Sequence, residues 1–286
     1  MASIAVLTDS TADLSPEQAA TAGITVVPLY VRFGAQEYRA GVDLTTEQFW
    51  QKMLTPGTEI PTTSAPSPGD FRTAFEAAFA GGADAIVCPT LGHKLSATFQ
   101  SATLAAEAMP DREIHVIDTG STSMSTGIPA LMAADMARSG TPAADIAAEI
   151  RRRLPDVDLF VAVDGLEYLR KGGRLSATRA VVGTMLSVKP IITVTDGLVV
   201  MADKQRSRAK ARALVISSIA VAPVERLSVL HTPTSTPEEI EAFRAELLAA
   251  IPGGVDPARV TTGLIGASTG PHLGPDLMGA SFLRAG

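Results

Sequence analysis

The chain has 286 residues, with 24 Lys and Arg against 30 Asp and Glu, a formal charge of −6, and 46% hydrophobic and 19% charged side chains. This is the length of about two ordinary domains; the hydrophobic share excludes a disordered chain, and the acidic balance excludes the basic footprint of a nucleic-acid binder. The longest apolar run, Ala213 to Val224, holds Pro223 and two serines and falls short of the ~20 residues that a bilayer-spanning helix needs.

In chain order, Ile4 to Leu7 reads as a strand closed by Thr8-Asp9-Ser10-Thr11. The opening Met1-Ala2-Ser3-Ile4 shows no signal-peptide pattern. Ser15 is placed to cap a helix with Pro16 in its first turn, and Gly23 ends it. Ile24 to Val31 reads as the next strand. Phe71, Phe75 and Phe79 fall on one helical face ahead of Gly81-Gly82. Asp84 to Cys88 is a buried strand, Ser96 to Met109 an alanine-rich helix, and Glu113 to Ile117 another strand before the polar stretch Asp118 to Thr126. Strand, polar loop and helix in repetition predict a parallel sheet with helices on both faces.

After the helical Thr141 to Leu154 the texture changes. Leu159 to Val163 is a strand, and Leu166 to Arg170 a short helix that runs into Lys171-Gly172-Gly173-Arg174. Asp196-Gly197 between two apolar runs signals a hairpin. Helices over Ser207–Ile219 and Pro237–Ala250 flank a strand at Leu227–His231, and the last strand-like run is Arg259 to Ile265. The expected architecture is α/β: an α/β/α domain with a parallel sheet over 1–156 and an α/β domain with a mixed sheet over 157–286.

In a parallel α/β sheet, ligands sit beyond the carboxyl ends of the strands. The loops expected there are rich in hydroxyls and poor in acid–base groups: 8–11, Pro61 to Pro68, Leu95 to Thr98 and Asp118 to Ser123. Hydroxyls at helix N-termini can donate to an anion, although each can equally cap its own helix. His272 lies in Gly266 to Pro275, a glycine- and proline-rich turn suited to a close-approach backbone. His115 reads as structural and His93 as solvated, while His231 could be either. Paired metal-ligand spacing, a phosphate-binding glycine loop and a nucleophile elbow are all missing from the sequence. The lone Cys88 reads as a core residue in a reducing compartment. Arg170 to Arg174, and Lys204, Arg206, Arg208 and Lys210, are basic features that suit either a solvated face or an acidic partner.

Taken together, Thr8 to Leu14, Pro61 to Pro68, Leu95 to Ala102, Tyr168 to Ser176, Lys189-Pro190-Ile191 and His272 to Pro275 resemble the DegV family over residues 4 to about 283. That resemblance implies a cytoplasmic lipid-binding protein without a cofactor, catalytic residue or metal. One long-chain fatty acid would occupy an apolar tunnel, its carboxylate held by Thr63, Ser64, Ser96 and His272. It further implies presentation to an ATP-dependent fatty acid kinase that makes acyl phosphate for phospholipid metabolism, with Arg174 and Arg206 facing that partner. It implies neither nucleic acid nor a membrane span, and at most transient membrane contact. The chain departs from the family at Ala65, Ala97, Phe99, Ser123 and Asp276, which bears on tunnel shape. A serine-type esterase or acyltransferase using Ser96 and His272 is the alternative, and a small polyhydroxylated or phosphorylated ligand a weaker one.

Overall fold

The computed structural model describes residues 2–175 and 188–286; Ser176, the end of one family motif, lies outside them. The first half runs β1 (Ile4–Asp9), α1 (Pro16–Ala22), β2 (Ile24–Val27), β3 (Tyr30–Phe33), β4 (Gln36–Arg39), α2 (Thr46–Met53), β5 (Thr62–Ser64), α3 (Pro68–Ala80), β6 (Ala85–Thr90), α4 (Thr98–Glu107), β7 (Glu113–Asp118), α5 (Met124–Arg138) and α6 (Ala143–Arg153). The second runs β8 (Val157–Val163), α7 (Glu167–Lys171), β9 (Lys189–Thr195), β10 (Leu198–Gln205), α8 (Arg208–Ile219), β11 (Val224–His231), α9 (Pro237–Ala250), β12 (Val260–Leu264), α10 (Gly270–Leu273) and β13 (Leu277–Arg284).

Four strands form a parallel sheet in the order β2-β1-β6-β7. Successive side chains on a strand face opposite ways, so Leu7, Ile86 and Cys88 pack on Phe71 and Phe75 of α3 and Ala102 and Ala105 of α4. Their neighbours Val6, Ala85 and Val87 pack on α5 and α6. The expected cover on both faces is present. Local chemistry sets the helix ends: Ser15 and Gln18 form a reciprocal capping box with Pro16 behind it, and Gly23 closes α1 at φ +69°. The run Ile24 to Val31 is not one strand, because Pro28-Leu29 separates β2 from β3. β3 instead founds a small antiparallel sheet in the order β4-β3-β5.

The second sheet is six-stranded and mixed, in the order β10-β9-β8-β13-β11-β12. Asp196 and Gly197 both take positive φ, +52° and +74°, which is the backbone of the tight hairpin turn expected there. The central strand β13 was not anticipated as a strand. It pairs antiparallel with both β8 and β11 and is buried along nearly its whole length. One face of this sheet packs Val215, Ile219, Phe243 and Leu247 of α8 and α9. The other contributes Leu159, Val161, Ile192 and Leu230 to a core shared with Phe49, Trp50, Met124 and Ile128 of the first half. The change from parallel to mixed sheet falls between α6 and β8.

Candidate functional site

At the carboxyl edge of the parallel sheet, β1 runs into a single 3-10 turn over Ser10–Ala12. Two acids bracket it, and both are buried. Asp9 accepts from Thr11 N and Thr11 Oγ1 through one oxygen and from Leu91 N (2.7 Å) through the other. Burial raises its carboxyl above the usual range. Asp13 accepts from Ser123 Oγ (2.7 Å), Gly266 N (3.0 Å) and Thr269 Oγ1 (2.9 Å). Burial pushes Asp13 up to about 7 against those three donors. Ser10 adds a 2.7 Å hydroxyl pair with Ser268 and accepts from Leu29 N.

Between the two sheets lies a cavity lined by Thr63, Ser96, Leu169, Arg174, Ser268 and His272 among others. Thr63 comes from β5, Ser96 from the turn before α4, Arg174 from the segment after α7, and His272 from α10. Thr63 Oγ1 lies 2.8 Å from His272 Nε2 across 209 positions of chain. Burial, and then the positive charge of Arg174, push the His272 imidazolium down to about 4, so the ring is neutral near pH 7. Its Nδ1 is buried, finds no hydrogen-bond partner among the described residues, and packs on Gly172. A Cβ on Gly172 would stand 2.3 Å from that nitrogen. Arg174 donates to Leu95 O (3.2 Å) and Gly172 O (2.7 Å), which bends it into the cavity wall. Ser96 Oγ pairs with Thr98 Oγ1 at 2.9 Å, and Ala97 at the N-cap of α4 makes no side-chain bond.

A second, smaller chamber shares the wall residues Thr122, Val199 and Leu273 with the first. Leu159, Val161, Ile192, Leu230 and Ile265 line it, presenting the inner face of the mixed sheet. A cavity bearing hydroxyls and an imidazole thus adjoins an apolar chamber.

A family described as "Uncharacterised protein, DegV family" matches residues 3–285. The chain belongs to the DegV family. It is 33% identical over 286 residues to a DegV domain-containing protein of Caldanaerobacter subterraneus, covering 99% of each chain. Among solved structures it resembles a DegV family protein of Thermus thermophilus described as fatty-acid-binding, at 32% identity with a TM-score of 0.87 and 99% of both chains covered. DegV of Bacillus subtilis, described as a fatty acid binding protein, matches at 31% identity with a TM-score of 0.86, covering 100% of both chains. A stearic-acid-binding protein of Eubacterium ventriosum matches at 27% identity with a TM-score of 0.87, covering 99% of this chain and 98% of that one.

Of the residues singled out in this DegV chain, Thr63, Ser96 and His272 come together and Ser64 does not. Ser64 follows Thr63 on β5, turns to the opposite face, and is exposed. Arg174, expected to face a partner, is half-buried and borders both this cavity and an open cleft beside His93 and Lys94; Arg206 is exposed. The histidine partners are Thr63 for His272, Glu113 for His115 and Asp118 for His93. Cys88 is buried, and burial raises its thiol. No cluster of metal-ligating side chains occurs among the described residues, and no helix there is long and apolar enough to cross a membrane. Missed altogether were Gly172 and the clamp formed by Asp13, Ser123 and Thr269. Their sequence signals were membership of the Gly-Gly-Arg and Thr-Asp-Ser-Thr-Ala-Asp motifs for Gly172 and Asp13, and of the loops Asp118 to Ser123 and Gly266 to Pro275 for Ser123 and Thr269.

Proposed function

We propose that this chain binds one long-chain fatty acid, with the alkyl tail in the apolar chamber and the carboxylate against Thr63, Ser96 and His272. The observation that carries the reading is the Thr63–His272 contact in a cavity that shares wall residues with a chamber lined by Leu159, Val161, Ile192 and Leu230. An alkyl chain of about 14 methylenes gains roughly 11 kcal/mol on burial before association costs. Its carboxylate must meet donors rather than hydrocarbon. Two hydroxyls and a neutral imidazole can supply them, helped by the positive end of α4 and by Arg174. Solved relatives described as fatty-acid-binding support the same reading.

Turnover fits this arrangement poorly. A serine nucleophile needs a base within hydrogen-bond reach, whereas His272 pairs with Thr63, Ser96 pairs with Thr98, and a ring pushed down to about 4 is a weak base. In this reading the chain is a non-enzymatic cytoplasmic carrier. Residues 1–156 supply the hydroxyls and residues 157–286 the imidazole and the oily wall. It presents the carboxylate to an ATP-dependent fatty acid kinase through the surface around Arg206.

Mass spectrometry of protein purified from bacteria should release a fatty acid, and titration of the delipidated protein with palmitate or oleate should be saturable. Ser96→Ala and His272→Ala should each weaken binding about tenfold or more. Protein that carries no lipid and has no affinity for either acid would sink the reading.

A further inference from the structure

The segment Thr8 to Asp13 touches both loops that carry the headgroup donors, yet of its residues only Thr11 lines the cavity. On one side Asp9 takes Leu91 N, at the root of the turn that carries Ser96. On the other, Asp13 takes Gly266 N and Thr269 Oγ1, and Ser10 takes Ser268. Thr269 is the N-cap of α10, and its carbonyl accepts from His272 N at 3.0 Å. A chain of two hydrogen bonds through Thr269 therefore runs from the Asp13 carboxyl to the His272 backbone.

The construction is strained and tightly fitted. Asp13 and Ser123 are two of only three non-glycine residues with positive φ among those described, at +51° and +56°, and they bond each other. Such backbone persists only where the surroundings over-determine it, and it clusters at functional sites. Gly266 is equally constrained, since a Cβ there would sit 2.7 Å from Asp13 Oδ1. Asp13 lies outside the lining of that cavity, although with Ser10, Gly266 and Ser268 it borders a neighbouring cleft; its two oxygens are taken by donors of the turn itself and of Ser123.

We propose that Asp13 is a positioning residue, whose carboxyl seats Gly266 and Thr269 and thereby fixes the His272 imidazole against Thr63. The proposal rests on the fatty-acid reading for its effect on affinity, but not for its effect on the ring. Asp13→Asn keeps the shape and replaces one acceptor oxygen with a donor, so one of the three incoming bonds is lost. Above neutral pH this variant should bind palmitate about tenfold to a hundredfold more weakly, with a native far-UV spectrum. It should lose little or nothing further when combined with His272→Ala.

The imidazole nitrogen chemical shifts of His272, recorded without lipid, should move in Asp13→Asn. A folded Asp13→Asn protein with native His272 shifts overturns the proposal, whatever wild-type protein binds. Equal losses from Asp13→Asn with and without His272 also overturn it. Should Asp13→Asn not fold, Thr269→Val removes a single hydroxyl donor and should shift the same resonances; unchanged resonances there overturn the proposal.

Discussion

The two sheets reach their ligand edge by different routes. In the parallel sheet β1, β6 and β7 each end in a loop that leads to a helix, so their hydroxyls fall along one edge by simple repetition. The mixed sheet has no such repetition. It closes only when β13 inserts between β8 and β11, and its polar contribution comes from α10, just ahead of that strand. A regular half can be read from local pattern, whereas a half organised around a late central strand depends on contacts far apart in sequence.

The sharpest way to break this contrast is Gly279→Val. A Cβ at Gly279 would stand 2.2 Å from Phe160 O and 2.5 Å from Val161 Cα, between strands that cannot separate. Overpacking of this kind typically costs about 1–3 kcal/mol, and more where backbone is struck; calorimetry should record a fall in Tm of roughly 5–10 °C or a loss of folding. A native melting curve would mean that the centre of the mixed sheet yields.

Gly172→Ala comes next. Because its Cβ would displace the His272 ring, it should weaken palmitate binding about as much as His272→Ala, roughly tenfold or more, in a titration of delipidated protein. A smaller effect of opposite sign is expected from pH. Unfolded His272 takes up a proton below about 6.5 and the folded ring only near 4, so this group removes stability as pH falls through that window. Asp13 works the other way. Ionised from about 3.8 upward when unfolded but only near 7 when folded, it removes stability as pH rises through that window. In urea melts across this range, His272→Gln and Asp13→Asn should tilt the pH dependence in opposite directions. The smallest effect belongs to Arg206→Glu, at an exposed position. It should change stability by less than about 0.5 kcal/mol and leave lipid affinity intact, and under the proposed kinase reading it should slow acyl phosphorylation.

Legibility followed the same division. Ser15, Pro16 and Gly23 marked α1, the phenylalanine spacing marked α3, and Asp196-Gly197 marked the hairpin, because each signal lies within a few residues. β13 escaped because it is buried on both faces. Such strands lose the polar alternation that betrays a half-exposed one, and Gly279 and Ser281, small for close packing, carry no strand signal of their own. Within the site, Thr63, Ser96 and His272 were visible through the family motifs, whereas composition alone offered only loops rich in hydroxyls. The placement of Ser64 and of Arg174 has a common cause. The face a strand residue takes, and the bend of a guanidinium onto the carbonyls of Leu95 and Gly172, are set by tertiary contacts.

The central placement of β13 also bears on biosynthesis. A ribosome makes this strand after every other strand of its sheet. Until it emerges, β8 and β11 present open edges, the sort of surface on which nascent chains pair wrongly. The chamber walled by that same sheet can therefore be completed only once β13 has been made, and a chain truncated before Leu277 would leave both edges open.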